Sequence, residues 1–100
     1  MPFKAKPLTL NQIADRVAIL ETSSGKNDKC KREGLGYNSY GYGQQINKYT
    51  CFDTDKRAKQ VVMNWFASKL TVMSLEVALC HYNIGHKISN CDYAKKFKSL

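Results

Sequence analysis

The stretch Thr9–Glu21, TLNQIADRVAILE, predicts an α-helix and decides how the rest of the chain is interpreted. Thr9 followed three residues later by Gln12 is the pattern of a capping box, which begins a helix. Five apolar residues then recur at helical spacing, namely Leu10, Ile13, Ala14, Val17 and Ala18. We therefore expect a first helix over Leu10–Glu21 with one apolar face.

Three further helices are predicted in the second half of the chain. Asp53 or Thr54 can cap a helix with a broad apolar face, made of Ala58, Val61, Val62, Trp65, Phe66 and Leu70. Ser74 opens the next helix, which ends at Gly85 in the sequence YNIG. Its inward residues are expected to be Leu75, Ala78, Leu79 and Tyr82. A short helix over Asp92–Lys98 comes last.

The segment Thr22–Tyr49 lacks periodicity and is rich in glycine and tyrosine. Such a composition is typical of turns, so a long loop or a short hairpin is predicted here. No internal repeat or low-complexity linker divides the 100 residues. We therefore expect one mainly α-helical domain over residues 1–100, with four to five helices and this segment as an insert.

The charge of the chain favours an anionic partner. Sixteen basic residues against eight acidic ones give a net charge of +8, which suits nucleic acid, an acidic membrane surface or an acidic cell-wall polymer. No apolar run approaches the roughly 18 residues of a membrane span. The first ten residues, MPFKAKPLTL, lack the apolar centre of a signal peptide. A monomer is the default expectation.

The chain has four cysteines, Cys30, Cys51, Cys80 and Cys91, and no CxxC pair. This spacing disfavours zinc and predicts disulfides, with neither metal nor cofactor expected. Three pairings are possible, of which we expect Cys30–Cys51 and Cys80–Cys91. Each bond would stabilise the fold by about 3 kcal/mol. Disulfides imply an oxidising compartment, whereas four buried free thiols in the cytosol are the alternative.

Glu21 is the candidate catalytic residue. It lies four residues after Val17 and so continues the apolar stripe of the first helix. The negative end of the helix dipole and partial burial both disfavour its charged form and raise its pKa. A carboxyl group that stays protonated near neutral pH can act as a general acid. The alternative is a frayed helix end with Glu21 in solvent.

The motifs after Glu21 follow an order that resembles the soluble lytic murein transglycosylases, lysozyme-like enzymes related to goose-type lysozymes. In that family a catalytic glutamate ends a helix, and a GLMQ-like stretch, an AYNAG-like helix end and a late tyrosine follow. The matching sequences here are GYGQ at Gly41–Gln44, HYNIG at His81–Gly85, and Tyr93 in DYAKKF. Thr22 stands where serine is usual, and Tyr42 where leucine is usual.

The resemblance implies a lysozyme-like fold and cleavage of the bond from N-acetylmuramic acid to N-acetylglucosamine without water. Glu21 would act first as acid and then as base. Most glycosidases use two carboxylates, and only Asp28 and Glu33, both in the insert, are expected to be able to face a cleft. The lack of an obvious partner favours the non-hydrolytic transglycosylase reaction. A lysozyme-type hydrolase is the alternative if Asp28 or Glu33 reaches the cleft.

The resemblance also implies substrate contacts for Thr22, Tyr42, Gly43, Gln44, Asn83 and Tyr93. The Gln44 amide would bind a sugar acetamido group, and Gly43 would let the backbone approach the sugar. Tyr93 would hold Glu21 in orientation, whereas Tyr82 is expected to fill the core. Peptidoglycan strands would be the partner, and the protein would be secreted, periplasmic or virion-associated.

Two non-enzymatic interpretations remain open. The net charge of +8 and the tyrosines near the basic sequence KCKR suit a module that binds single-stranded nucleic acid. Against it, these tyrosines fall in an insert rather than on strands, and the cysteines indicate an oxidising compartment. A wall-binding domain that kept the fold and lost the reaction is the second interpretation, which the presence of Glu21 disfavours.

Overall fold

A computed structural model describes residues 7–44 and 49–100, and within these ranges the chain is mainly helical, as predicted. The five helices are α1 (Leu10–Thr22), α2 (Lys29–Arg32), α3 (Asp55–Lys69), α4 (Leu75–Ile84) and α5 (Asp92–Lys98). The predicted insert and N-terminus extend into residues 45–48 and 1–6, which lie outside the described ranges. No helix of the described part is long and apolar enough to cross a membrane.

Side-chain caps begin the long helices where the sequence predicts them. Thr9 Oγ1 accepts a hydrogen bond of 3.1 Å from the Gln12 amide, and the Gln12 side chain accepts one of 2.9 Å from the Thr9 amide. Thr54 and Ser74 cap α3 and α4 through their side-chain oxygens. The left-handed conformation of Gly85 ends α4. These local signals explain why the helix bounds agree with the prediction to within two residues.

The core lies where α1 packs against α3 and α5, and where α4 packs against α5. Its fully buried side chains include Val17, Val62, Phe66, Leu79 and Phe97. Tyr82 is buried in this core, as predicted. The Trp65 ring is partly buried at the margin, with its centroid 4.9 Å from that of Phe66 and 5.2 Å from that of Tyr82.

Both expected disulfides are present. The Cys30–Cys51 bond ties α2 to the segment that precedes α3, with a Cα–Cα distance of 5.5 Å. The Cys80–Cys91 bond ties α4 to the N-terminus of α5, with a Cα–Cα distance of 5.8 Å. The two bonds therefore fix the insert and the last helix, the two parts of the chain with the least apolar periodicity.

The insert contains a one-turn helix, α2, which the sequence did not predict. In place of a hairpin, the described part of the insert contributes Tyr37 to one isolated antiparallel bridge, whose other residue, Phe52, lies just after the insert. Asp28 caps α2 and is almost completely buried, accepting hydrogen bonds from the amides of Cys30 (3.0 Å) and Asn38 (2.8 Å). The expectation that Asp28 can face a cleft is therefore wrong, because backbone amides occupy both of its carboxyl oxygens.

Candidate functional site

Glu21 lies at the end of α1, where its carboxyl group meets a surface groove. The helix stops at Ser23, which takes the left-handed conformation (φ 53°) and turns the chain into the insert. Glu21 is partly buried, and this burial raises the pKa of its carboxyl group above the usual value of 4.5. An interaction with the Tyr93 hydroxyl opposes the shift. Burial thus favours a protonated Glu21, in the direction that the sequence predicts.

Two adjacent depressions share Glu21 and Gln44, and together they form the groove. The first depression has a volume of about 260 Å³, and its lining includes Glu21, Thr22, Asn27, Lys29, Gln44 and Tyr49. The second has a volume of about 330 Å³, and its lining includes Glu21, Gln44, Asn83, Asp92, Tyr93 and Lys96. Glu21 therefore lies where the two depressions meet, with room for ligand groups on both sides.

The groove brings together residues that are far apart in the sequence. Gln44, Asn83 and Tyr93 come from three separate motifs and all line the second depression with Glu21. Tyr42 and Gly43 are not among the residues that line either depression. The Tyr42 ring instead packs edge-on against Phe52, with 6.4 Å between ring centroids. Substrate contacts by Tyr42 and Gly43 stay a prediction.

Gly41, which sequence reasoning did not single out, is the glycine that lies against Glu21. It lines the first depression and has a φ of +65°. A β-carbon on Gly41 would come within 2.9 Å of Glu21 Cδ and 3.1 Å of Glu21 Cγ. Only glycine lets the backbone lie this close to the carboxyl group without displacing it. The sequence contained a signal for Gly41, because it is one of the two glycines of the GYGQ motif.

Thr22 directs its hydroxyl group into the protein. The hydroxyl lies 2.7 Å from the Ser39 carbonyl and 3.3 Å from the Ala18 carbonyl, and it accepts a 2.8 Å hydrogen bond from the Gly25 amide. These contacts tie the end of α1 to the insert and occupy the hydroxyl group. Thr22 therefore shapes the wall of the first depression.

Tyr93 projects from α5 toward Glu21. Its hydroxyl group is buried and makes no hydrogen bond of ordinary geometry within the described ranges. Burial, and then the nearby Glu21 carboxyl, raise the pKa of Tyr93, so the ring stays neutral. A neutral hydroxyl group next to a carboxyl group can donate a hydrogen bond to it, which fits the predicted role of Tyr93 in orienting Glu21.

Sequence reasoning missed several residues of the groove, above all Asp92. Asp92 is exposed and lines the second depression together with Glu21, whereas Glu33 is exposed at the end of α2 and lines neither depression. Lys29 and Lys96 place one cation in each depression. Tyr49 also lines the first depression. Asp92 and Lys96 flank Tyr93 on α5, and that proximity was the available signal.

Most of the side chains that line the groove are polar. In the described part of the chain, no group of three or more His, Cys, Asp or Glu side chains is arranged to hold a metal ion. No protein-family model, curated protein or solved structure matches the chain. The resemblance to lysozyme-like enzymes therefore rests on the ordered motifs, and it stays a prediction.

Proposed function

We propose that the protein is a lysozyme-like glycosidase that cleaves the β-1,4 bond between N-acetylmuramic acid and N-acetylglucosamine in peptidoglycan. The observation that carries the proposal is the position of Glu21, a partly buried carboxyl group with a raised pKa at the centre of an open groove. A protonated carboxyl group in a groove is what cleavage of a glycosidic bond requires of its general acid.

The reaction begins with proton transfer from Glu21 to the glycosidic oxygen. The bond from that oxygen to the anomeric carbon then breaks, and positive charge develops on the sugar ring. The amide side chains of Gln44 and Asn83, which line the second depression with Glu21, suit the acetamido groups of the substrate because an amide both donates and accepts hydrogen bonds. Tyr49 offers an aromatic ring to a sugar face.

The charges along the groove support an acidic glycan as the substrate. Lys29 and Lys96 supply one cation to each depression, and the chain carries a net charge of +8. Peptidoglycan bears lactyl and peptide carboxylates on alternate sugars. Cations on both sides of Glu21 would attract such a polymer and favour it over a neutral glycan such as chitin.

The reaction of the cleaved sugar depends on whether a second carboxylate lines the groove and can act on it. The sequence favoured the non-hydrolytic transglycosylase reaction because Asp28 and Glu33 were the only candidate partners. Neither lines the groove, but Asp92 does. A candidate second carboxylate is therefore present, and the choice between the two reactions depends on Asp92.

Digestion of purified peptidoglycan tests the proposal. The native protein, with both disulfides formed, should release soluble muropeptides that mass spectrometry can identify. Glu21→Gln should slow the release by about 100- to 10,000-fold, the usual contribution of a general acid. Glu33→Gln makes the same chemical change outside the groove and should leave the rate unaltered. Absence of release by the native protein, or equal loss in both variants, would contradict the proposal.

A further inference from the structure

Asp92 and Glu21 are two carboxyl groups in one depression. Glu21 reaches it from the end of α1, and Asp92 reaches it from the first turn of α5. The two helices pack against each other, so the relative position of the two groups is set by the core. The depression that they line has a volume of about 330 Å³, which is large enough for a sugar substituent and a water molecule.

The two carboxyl groups have different surroundings. Glu21 is partly buried, whereas Asp92 is exposed to solvent. Burial disfavours the charged form of the Glu21 carboxyl group, whereas no such burial acts on the exposed Asp92. A pair of carboxyl groups that differ in this way is the usual basis for assigning one as acid and the other as base.

We propose that Asp92 is the general base of a hydrolytic reaction at this site. Asp92 removes a proton from a water molecule as the water oxygen attacks the anomeric carbon. Glu21 gives its proton to the leaving oxygen, and the glycosidic bond breaks. The products are a saccharide with a free reducing end and a saccharide with a free 4-hydroxyl group, and Asp92 passes its proton back to Glu21 through solvent. This inference rests on the proposed glycosidase function and specifies its outcome.

The position of Asp92 is well supported by its surroundings. Cys91, the preceding residue, is bonded to Cys80 in α4, and its sulfur accepts a 3.5 Å contact from the Ala94 amide. Ala94 and Phe97 anchor α5 in the core. A carboxylate held on a fixed backbone can direct a water molecule, which a group on a mobile loop does less well.

The proposal predicts the products. Hydrolysis with separate acid and base carboxylates attacks the sugar from the side opposite the leaving group, so the anomeric configuration inverts. Muropeptides from the native protein should carry free reducing ends, take one oxygen atom from ¹⁸O-labelled water and first appear as the α-anomer in the proton NMR spectrum. Anhydro products, which lack one water molecule, or an initial β-anomer would overturn the assignment of Asp92.

Variants of Asp92 test the residue itself. Asp92→Asn should slow release by about 100- to 10,000-fold, while Asp53→Asn, the same change at an exposed position before α3, should leave the rate unaltered. Asp92→Ala leaves a space beside the anomeric carbon, where azide, a nucleophile that needs no base, should restore cleavage and yield a glycosyl azide. The thermal unfolding midpoints of all variants are compared to confirm that they are folded.

The outcomes separate this inference from the proposed function. If the native protein releases nothing, the glycosidase proposal fails and the inference fails with it. If Glu21→Gln abolishes release but Asp92→Asn behaves like Asp53→Asn, the glycosidase proposal stands and Asp92 has no catalytic role. If Asp92→Ala is inactive and azide restores nothing, Asp92 is not the base.

Discussion

Gly41 lies so close to Glu21 that a β-carbon on Gly41 would overlap the Glu21 carboxyl group. The backbone of the insert at Gly41 therefore lies directly against the carboxyl group of Glu21, the proposed acid. Burial raises the pKa of Glu21, while two open depressions still reach its carboxyl group. A side chain at position 41 would therefore have to displace the Glu21 carboxyl group.

Gly41→Ala should therefore reduce both stability and activity. The φ of +65° is unfavourable for alanine by about 1–2 kcal/mol. The added methyl group also displaces the Glu21 carboxyl, and a misplacement of this kind costs activity on the order of 100-fold. Urea unfolding measures the first effect, and the rate of muropeptide release measures the second.

Gly34→Ala is the matched control for this change. Gly34 has a similar φ of +71°, but a β-carbon there would meet nothing within 4 Å. It should lose a similar amount of stability and keep the activity of the native protein. Equal activities for the two variants would show that contact with Gly41 does not position Glu21.

The helices could be predicted because their signals are local. A capping pattern such as that of Thr9 and Gln12, or the Ser74 cap, occupies a few neighbouring residues, and apolar spacing adds the direction of the core. The disulfides could be predicted for a similar reason, since each joins the nearest cysteine in sequence. By contrast, α2 has four residues and no apolar period, and it depends on the buried Asp28 and on the Cys30–Cys51 bond.

The groove could be predicted only in part, because it is formed by tertiary packing. Glu21 and Gln44 were found through their resemblance to ordered motifs. Asp92 and Lys29 were missed, because apolar spacing identifies the buried side of a helix but not which of its polar residues will line a groove. Asp28 was misassigned for the opposite reason: its place in a polar insert suggests exposure, but hydrogen bonds to backbone amides bury it.

Thr22→Val should destabilise the fold without changing substrate affinity. Valine keeps the shape of threonine and leaves the Gly25 amide and the Ser39 carbonyl without their partner. An unsatisfied buried polar group costs about 1–3 kcal/mol, which urea unfolding can measure. Thr22→Ser keeps the hydroxyl group and should recover most of this loss. A raised KM in Thr22→Val, with stability unchanged, would instead support the predicted substrate contact.

The stability of Glu21→Gln relative to the native protein should depend on pH. Unfolding returns the Glu21 pKa to about its usual value of 4.5, whereas burial holds it higher in the fold. Between these two values the folded state binds more protons than the unfolded state, so the native protein loses stability as the pH rises through this window. Glutamine does not titrate. The native protein should therefore become less stable relative to Glu21→Gln as the pH rises.

Urea unfolding of both proteins from about pH 4 to about pH 8 measures this difference. The difference between their free energies of unfolding should be constant below the usual pKa of Glu21. It should change between the usual and the raised pKa and level off above the raised pKa. A difference that is independent of pH would mean that Glu21 is solvated. A slope of opposite sign would mean that the fold stabilises the charged carboxylate.

Tyr93→Phe should shift the pH profile of kcat/KM. The Tyr93 hydroxyl lowers the Glu21 pKa, so its removal raises that pKa further. An acid catalyst loses activity as it deprotonates, and the alkaline limb of the profile should therefore move to higher pH. Above the Glu21 pKa, stability should fall slightly, because the hydroxyl group that favours the charged carboxylate is lost. Tyr37→Phe, at an exposed tyrosine, should change neither property.

Removal of the Cys80–Cys91 disulfide should reduce activity by more than the accompanying loss of stability explains. The double variant Cys80→Ala/Cys91→Ser keeps a helix-capping side chain before α5 but removes the bond, which closes a loop of sequence separation 11. The expected loss is about 3 kcal/mol. Because Asp92 and Tyr93 directly follow Cys91, the free N-terminus of α5 should also move two groove residues, and activity should fall at temperatures where the variant is still folded.

Removal of the other disulfide provides the comparison that separates these two effects. Cys30→Ala/Cys51→Ala should also cost about 3 kcal/mol, but the buried hydrogen bonds of Asp28 and Asn38 still hold the insert. Assays at a temperature where circular dichroism shows both variants folded should therefore find the larger loss of activity in the Cys80/Cys91 variant. Equal losses would mean that the bond stabilises the fold without positioning α5, and that packing of Ala94 and Phe97 is enough to place Asp92 beside Glu21.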